Sequence, residues 1–187
     1  MSQAHASQGS HSEHPVHIQK YKDLRRKVDL LLDTTKLHGR LAYDTAAQKH
    51  LMNDEGYLDY EKLDDESIQE NFANDMTQAY LSKAKERFKS DISGKDEFEN
   101  DLLMSAYAGI TSSELRRFIR DNGKKFTFDT YNANLLDANN ERSIMGQMKG
   151  RLLQTATAHL SDTHINDIVK YVGASEFVNE RTIRLNE

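Results

Sequence analysis

The stretch from Leu51 to Glu66, LMNDEGYLDYEKLDDE, places a glycine among acidic residues, as calcium-binding loops of the EF-hand type do. In such a loop the glycine takes the sixth position, and a bidentate glutamate closes the site at the twelfth. With Gly56 in the sixth position, Leu51 falls on the ligating first position and Lys62 on the twelfth. A leucine cannot bind the ion and an ammonium group repels it, so calcium binding is not predicted.

The same stretch concentrates negative charge, which suits a basic protein surface better than a metal ion. Residues 53–76 carry nine acidic side chains against Lys62 alone, whereas residues 16–41 carry seven lysines and arginines against three aspartates. We therefore predict that the acidic side chains bind a basic protein surface, either the first helix of this chain or a partner protein. The residues assigned to this role are Asp59, Glu61, Asp64, Asp65 and Glu66.

A second group of polar residues, near the C-terminus, could hold a metal ion. Two imidazoles and a carboxylate can bind zinc or iron, and the group consists of His159, Asp162, His164 and Asp167. Neither the Glu-x-x-His spacing of di-iron bundles nor the His-Glu-x-x-His spacing of zinc proteases occurs in the chain. His159 also follows the apolar stripe of a predicted helix, which is typical of a packed histidine. A metal-dependent enzyme using this group is therefore an alternative function.

Other catalytic motifs are missing from the sequence. The chain has no cysteine, no Gly-x-Ser-x-Gly elbow and no glycine-rich phosphate loop. Active sites can also be assembled from residues that are distant in sequence. The sequence nevertheless favours a protein that is not an enzyme and needs no cofactor.

Positive charge is concentrated in the segment ELRRFIRDNGKK. Its basic residues are Arg116, Arg117, Arg120, Lys124 and Lys125. The order Ser-x-Glu-Leu-Arg followed by Asn-Gly, from Ser112 to Gly123, resembles the first half of SAP domains, which are small DNA-binding modules, but the second half does not follow. The resemblance implies binding to nucleic acid, with an affinity that falls steeply as the salt concentration rises. A basic helix face is more often simply solvated, so nucleic-acid binding is kept as an alternative function.

The elements that must position these residues are predicted to be helices. The 187 residues include a single proline, Pro15, where average usage gives about nine, and proline interrupts helices. The predicted fold is an irregular all-α bundle of about seven helices. Residues 1–15, which are rich in serine and histidine, are predicted to be a disordered tail. The N-terminal helical part, 16–93, and the C-terminal part, 94–187, are predicted to pack as one unit.

Two predicted helices show clear apolar faces. One carries an apolar residue every fourth position, namely Ile68, Phe72, Met76, Tyr80, Ala84 and Phe88, and Asp64 or Asp65 would cap it. The other begins at Glu97, and its inward residues are predicted to be Phe98, Leu102, Leu103, Ala106 and Tyr107. These faces indicate which sides of the two helices form the core.

The chain from Gly109 to residue 140 is predicted to be divided into shorter elements. Gly109 is expected to close one helix, and Thr111 to open the next, with Glu114 completing a capping box. Residues 124–140 contain few β-branched residues, so we predict a loop with one helical turn around Leu135 and Leu136.

Composition narrows the function classes. The net charge of −5 and the sequence pI of about 5.9 disfavour a role of the whole surface on nucleic acid or anionic lipid. No run of 18 apolar residues and no signal peptide is visible, so the expected location is the cytoplasm, with a secreted chain whose signal has been removed as the alternative. The predicted function is a non-enzymatic interaction module, an adaptor, chaperone-like factor or assembly subunit, that binds a protein partner or a second copy of itself.

Overall fold

The computed structural model of the chain describes residues 13–91, 97–135, 142–158 and 160–172. Over these ranges the backbone forms seven α-helices and no β-strand, so the predicted all-α class is confirmed. The helices are α1 (Glu13–Leu37), α2 (Gly39–His50), α3 (Glu66–Asp91), α4 (Glu97–Asn122), α5 (Phe128–Leu135), α6 (Ile144–Thr157) and α7 (Asp162–Val172), with short 3-10 turns at Tyr60–Asp64 and Gly123–Lys125.

The first helix begins earlier than the sequence indicates. The predicted tail ends at residue 15, but α1 already starts at Glu13, with Pro15 in its first turn, where a missing backbone N–H costs nothing. Residues 1–12 lie outside the described residues. The predicted boundary between residues 93 and 94 also lies outside them.

One hydrophobic cluster joins buried residues of α1 to α6, so residues from both predicted parts of the chain share it. Within it, α3 packs along α2 and α4, while α6 packs along α1 and α4. The last helix, α7, packs against α1, where Tyr21 contacts Leu160 and Val169 in a smaller cluster. The predicted face of α3 is confirmed from Phe72 to Phe88, and Ile68 is half-buried.

Buried tyrosine hydroxyls are paired inside this core. The hydroxyls of Tyr80 and Tyr131 lie 2.7 Å apart, and those of Tyr107 and Thr35 lie 2.6 Å apart. Burial raises the pKa of Tyr80, Tyr107 and Tyr131, so their hydroxyls stay protonated and serve as hydrogen-bonding groups. Pairing avoids the penalty of an unsatisfied polar atom in the core.

The three longest helices, α1, α3 and α4, have 25, 26 and 26 residues. All three carry many charged side chains. In the part of the chain that the structure describes, no helix is both long and apolar enough to cross a membrane.

The predicted break between Gly109 and Thr111 is wrong, because α4 runs without interruption from Glu97 to Asn122. Thr111 is buried inside the helix, and Glu114 pairs with arginine side chains where a capping box was expected. A glycine within a helix costs only about 1 kcal/mol relative to alanine. Burial of the neighbouring side chains Tyr107 and Leu115 outweighs that cost.

The predicted loop over residues 124–140 is also partly wrong, since α5 occupies Phe128–Leu135. The backbone N–H of Thr130 donates to Thr127 Oγ1 at 3.3 Å, which satisfies a donor in the first turn of α5. Phe126, in the connection before α5, is completely buried. Leu136, where the predicted turn ended, lies outside the described residues.

Gly123 takes a conformation that alanine resists. Its φ is +51°, and a Cβ atom would lie 2.5 Å from Asp64 Oδ1, the oxygen that accepts a hydrogen bond from the Lys124 N–H at 3.0 Å. We expect Gly123→Ala to lower the free energy of unfolding by about 2 kcal/mol, because backbone strain adds to the lost hydrogen bond. Urea unfolding followed by far-UV circular dichroism measures this.

Gly109→Ala is the matched control for that variant. Gly109 is exposed within a helix, and an added Cβ would meet nothing within 4 Å. This substitution should raise the free energy of unfolding by up to about 1 kcal/mol. Equal midpoints for the two variants would contradict the assigned role of Gly123.

Candidate functional site

The acidic stretch forms a tight turn before α3. Asn53 Oδ1 accepts hydrogen bonds from the N–H groups of Glu55 and Tyr57 at 3.1 and 2.9 Å. Gly56 lies between them with φ +85°, a conformation that favours glycine. Gly56 therefore provides the positive φ that this turn requires, and the hydrogen bonds to the side chain of Asn53 stabilise the turn.

Three of the five carboxylates predicted to bind a partner hold the backbone of this chain. Asp59 accepts from the Glu61 N–H at 3.1 Å and caps the turn Tyr60–Asp64. Asp65 accepts from the first turn of α3, which confirms it as the helix cap. Asp64 reaches the 3-10 turn Gly123–Lys125 through the Lys124 N–H. The two others, Glu61 and Glu66, are exposed.

The acidic stretch thus contacts the end of the basic segment, while Lys20 and Lys27 of α1 pair with a different carboxylate. Glu99 Oε2 lies 2.5 Å from Lys20 Nζ, and Glu99 Oε1 lies 2.6 Å from Lys27 Nζ. Partial burial acts to raise the pKa of Glu99, but the hydrogen bonds from Lys20 and Lys27 outweigh it and leave that pKa below its usual value. These contacts join the acidic stretch to the turn Gly123–Lys125 and the lysines Lys20 and Lys27 to Glu99 of α4.

The predicted metal ligands are only partly described. His159 and the side chain of Asp162 lie outside the described residues. His164 and Asp167 lie on α7, and the His164 N–H donates to Ser161 Oγ at 3.2 Å as part of the helix cap. Among the side chains that the structure describes, no three His, Asp or Glu residues are close enough together to hold a metal ion. The metal site stays an untested prediction.

An open, mainly apolar groove lies where α1, α4 and α6 meet. Its volume is about 320 Å³, and it is lined by Leu24, Phe98, Glu99, Leu102, Leu103, Thr155 and Ala156. We refer to it as the apolar groove. The prediction that Phe98 and Leu102 face the core is wrong, because these side chains are 77% and 53% exposed. The core uses the adjacent row of α4, with Leu103 and Tyr107.

A signal for this groove is present in the sequence. The apolar residues at the start of α4 cover more of the helix circumference than one packing row needs, since Leu102 and Leu103 are consecutive. The pattern alone does not say which row the rest of the fold leaves uncovered.

Three arginines of the basic segment line a second cavity, of about 400 Å³, on the C-terminal half of α4. It is lined by Gly109, Ser113, Arg116, Arg117 and Arg120, and we refer to it as the arginine cleft. Lys124 and Lys125 lie beyond it in the turn Gly123–Lys125. The structure therefore separates the five predicted basic residues into a cleft and a neighbouring turn.

Buried and neighbouring polar groups hold the arginines of this region in place. Glu114, with a side chain only 7% exposed, accepts from Arg117 at 2.6 Å and from Arg151 of α6 at 3.2 Å. Arg116 donates through Nε and Nη2 to Ser112 Oγ at 3.1 and 2.8 Å. Arg116 and Arg117 are therefore each bound by a side chain of α4, Ser112 and Glu114 respectively.

Comparisons with family models, curated proteins and solved structures found no match to this chain. The geometry and charge of the apolar groove and the arginine cleft are therefore the features that indicate function.

Proposed function

We propose that the protein is a non-enzymatic interaction module that receives a basic amphipathic helix of a protein partner in the apolar groove. The observation that carries this proposal is the exposure of Phe98 and Leu102 side by side. They lie one helical turn apart on the wall of a groove whose floor is apolar. Single exposed apolar residues are ordinary, but two of them beside a groove indicate a docking surface.

The shape of the groove favours a helix over a small ligand. Its volume of about 320 Å³ lies at the lower end for small-molecule pockets, and the two exposed side chains extend the apolar surface beyond the cavity. A partner helix would place its anchor side chains at positions i and i+3 or i+4. One anchor would fill the groove, and the next would pack on Phe98 and Leu102.

The charges along the outer edge of the groove specify the partner's chemistry. Glu97 and Asp101 are exposed and precede Phe98 and Leu102 by one position each on α4. On the opposite edge, Glu99 already binds two lysines of α1. Lysine or arginine residues beside the partner's apolar anchors would complement the outer edge and speed association. Binding by the exposed Glu61 and Glu66 of the acidic stretch stays a prediction.

We expect a 15-residue model helix of leucine and lysine, with leucines at i, i+3, i+4 and i+7, to bind the full chain. Phe98→Lys should weaken this binding by about 30-fold or more, since the anchor loses its apolar contact and gains a repelling charge. Isothermal titration calorimetry at physiological salt gives both dissociation constants.

Tyr57→Lys is the matched control, because Tyr57 is 71% exposed and lies outside the groove, in the turn before α3. It changes the net charge of the protein as Phe98→Lys does and should leave binding unchanged. Equal binding of the same peptide with glutamate in place of lysine would contradict a basic partner. Sedimentation that shows a dimer abolished by Phe98→Lys would identify a second copy as the occupant and overturn the proposal.

A further inference from the structure

The arginine cleft lies on the same helix as the apolar groove and shares no lining residue with it. The nearest lining residues, Leu103 of the groove and Gly109 of the cleft, are about 9 Å apart along the axis of α4. A ligand in the cleft therefore has its own set of contacts. An inference about the cleft stands whether or not a helix docks in the groove.

The cleft is lined by three cationic side chains and two neutral residues. Arg116, Arg117 and Arg120 supply positive charge, while Gly109 leaves space and Ser113 adds a hydroxyl. Arg116 and Arg120 are one helical turn apart, about 6 Å along the axis, so both can reach one tetrahedral anion. Arginine binds phosphate through two parallel N–H donors, which makes a phosphate group the best-matched ligand.

The surroundings of the cleft disfavour several carriers of that phosphate. Among the residues that the structure describes, the cleft is lined by arginine, serine and glycine, which offer no aromatic or apolar side chain on which a base or an acyl chain could pack. Asp121 lies 3.6 Å from Arg120, and the acidic stretch docks through Asp64 at Lys124, just beyond the cleft. A long polyanion that continued past the cleft would meet these carboxylates as well as the exposed Lys124 and Lys125.

We propose that the arginine cleft binds a phosphorylated serine or threonine side chain of a protein partner. A phosphoryl group carries a charge of about −1.5 to −2 and three acceptor oxygens, which the guanidinium donors of Arg116 and Arg120 bind directly. Glu114 holds Arg117 at the edge of the cleft. A Cβ atom added at Gly109 would meet nothing within 4 Å, so the lining next to Gly109 leaves space for a residue that flanks the phosphorylated one.

Fluorescence anisotropy of the full chain tests this with labelled nonapeptides, phosphoserine at the centre and randomised residues elsewhere. We expect saturable binding that is at least about tenfold tighter than for the same library with unmodified serine. Arg116→Gln combined with Arg120→Gln should weaken binding by at least about tenfold. Ser113→Asp places a carboxylate in the cleft without removing an arginine. This variant should also weaken binding of the phosphopeptide.

Lys85→Gln combined with Lys89→Gln is the matched control. Both lysines are exposed and lie one turn apart on α3, and replacing them removes the same amount of charge as the double arginine variant. This pair should leave binding within about twofold. An equal loss in the control, or equal binding of the unmodified library, would overturn the proposal. So would displacement of the peptide by inorganic phosphate or by a short DNA duplex at concentrations similar to the peptide's own dissociation constant.

Discussion

Phe126→Ala is expected to lower the free energy of unfolding by about 4 kcal/mol. Phe126 is completely buried, although it lies in a connection between helices. Its ring centroid lies between 5.3 and 5.7 Å from the centroids of Tyr43, Phe72, Phe118 and Tyr131. Removing the ring leaves a cavity and also removes four aromatic contacts. Urea unfolding followed by far-UV circular dichroism measures the change.

Phe98→Ala is the control for that experiment, because it makes the same substitution at a side chain that is 77% exposed. It should change the free energy of unfolding by no more than about 0.5 kcal/mol. If both variants unfolded at the same urea concentration, Phe126 would not be the centre of the aromatic cluster. The contrast also separates stability from function, since Phe98 is the anchor proposed for partner binding.

The burial of Phe126 shows why sequence patterns identified the long helices better than their connections. In α3 every fourth residue is apolar over six turns, so the buried face is repeated many times and one exception changes little. Phe126 follows two lysines, and its alternation with Phe128 is too short to form a repeated pattern. Its environment is supplied by α2, α3, α4 and α5, which only the tertiary structure brings together.

Local end signals misled the prediction for α4 in a related way. A glycine followed by threonine and glutamate is a valid helix end and start, but the same residues are tolerated inside a helix at about 1 kcal/mol. The helix α4 continues through the predicted break because Ile110 and Leu115, on either side of Thr111, are both buried. Since α4 is continuous, the apolar groove and the arginine cleft lie on the first and second halves of one helix.

The two cavities differ in how far the sequence indicated them. The arginines of the cleft were visible as a cluster, because three of them fall within five consecutive residues of one helix. The ion pair that holds Arg117 was not visible, since it depends on Glu114 being buried in the fold. The groove was indicated only in part, because a pattern of apolar residues predicts burial whether or not a neighbouring helix covers them.

Glu99 connects the stability of the fold to the inner edge of the apolar groove. We expect Glu99→Gln to lower the free energy of unfolding by about 3 kcal/mol near neutral pH, because Lys27, whose side chain is 5% exposed, keeps its charge and loses its carboxylate partner. Lys20 is 37% exposed and can turn to water, so Lys27 accounts for most of the effect. Urea unfolding of both proteins at several pH values measures the difference.

The pH dependence of that difference follows from the pKa of Glu99, which the fold lowers. A carboxyl group whose pKa is lower in the folded state stabilises the fold above its unfolded pKa of about 4.3. This contribution is lost as the pH falls through the folded pKa. The gap between the original protein and Glu99→Gln should therefore be constant from about pH 8 to pH 6, and it should close in acid below about pH 4.

Glu97→Gln is the matched control, because Glu97 is exposed two residues away in the first turn of α4. It should cost no more than about 0.5 kcal/mol, mainly through the helix dipole. A gap for Glu99→Gln that stayed constant into acid would mean that packing of the side chain matters and its charge does not. In that case Lys27 would be held by other contacts, and Glu99 could be exchanged without loosening α1 at the groove.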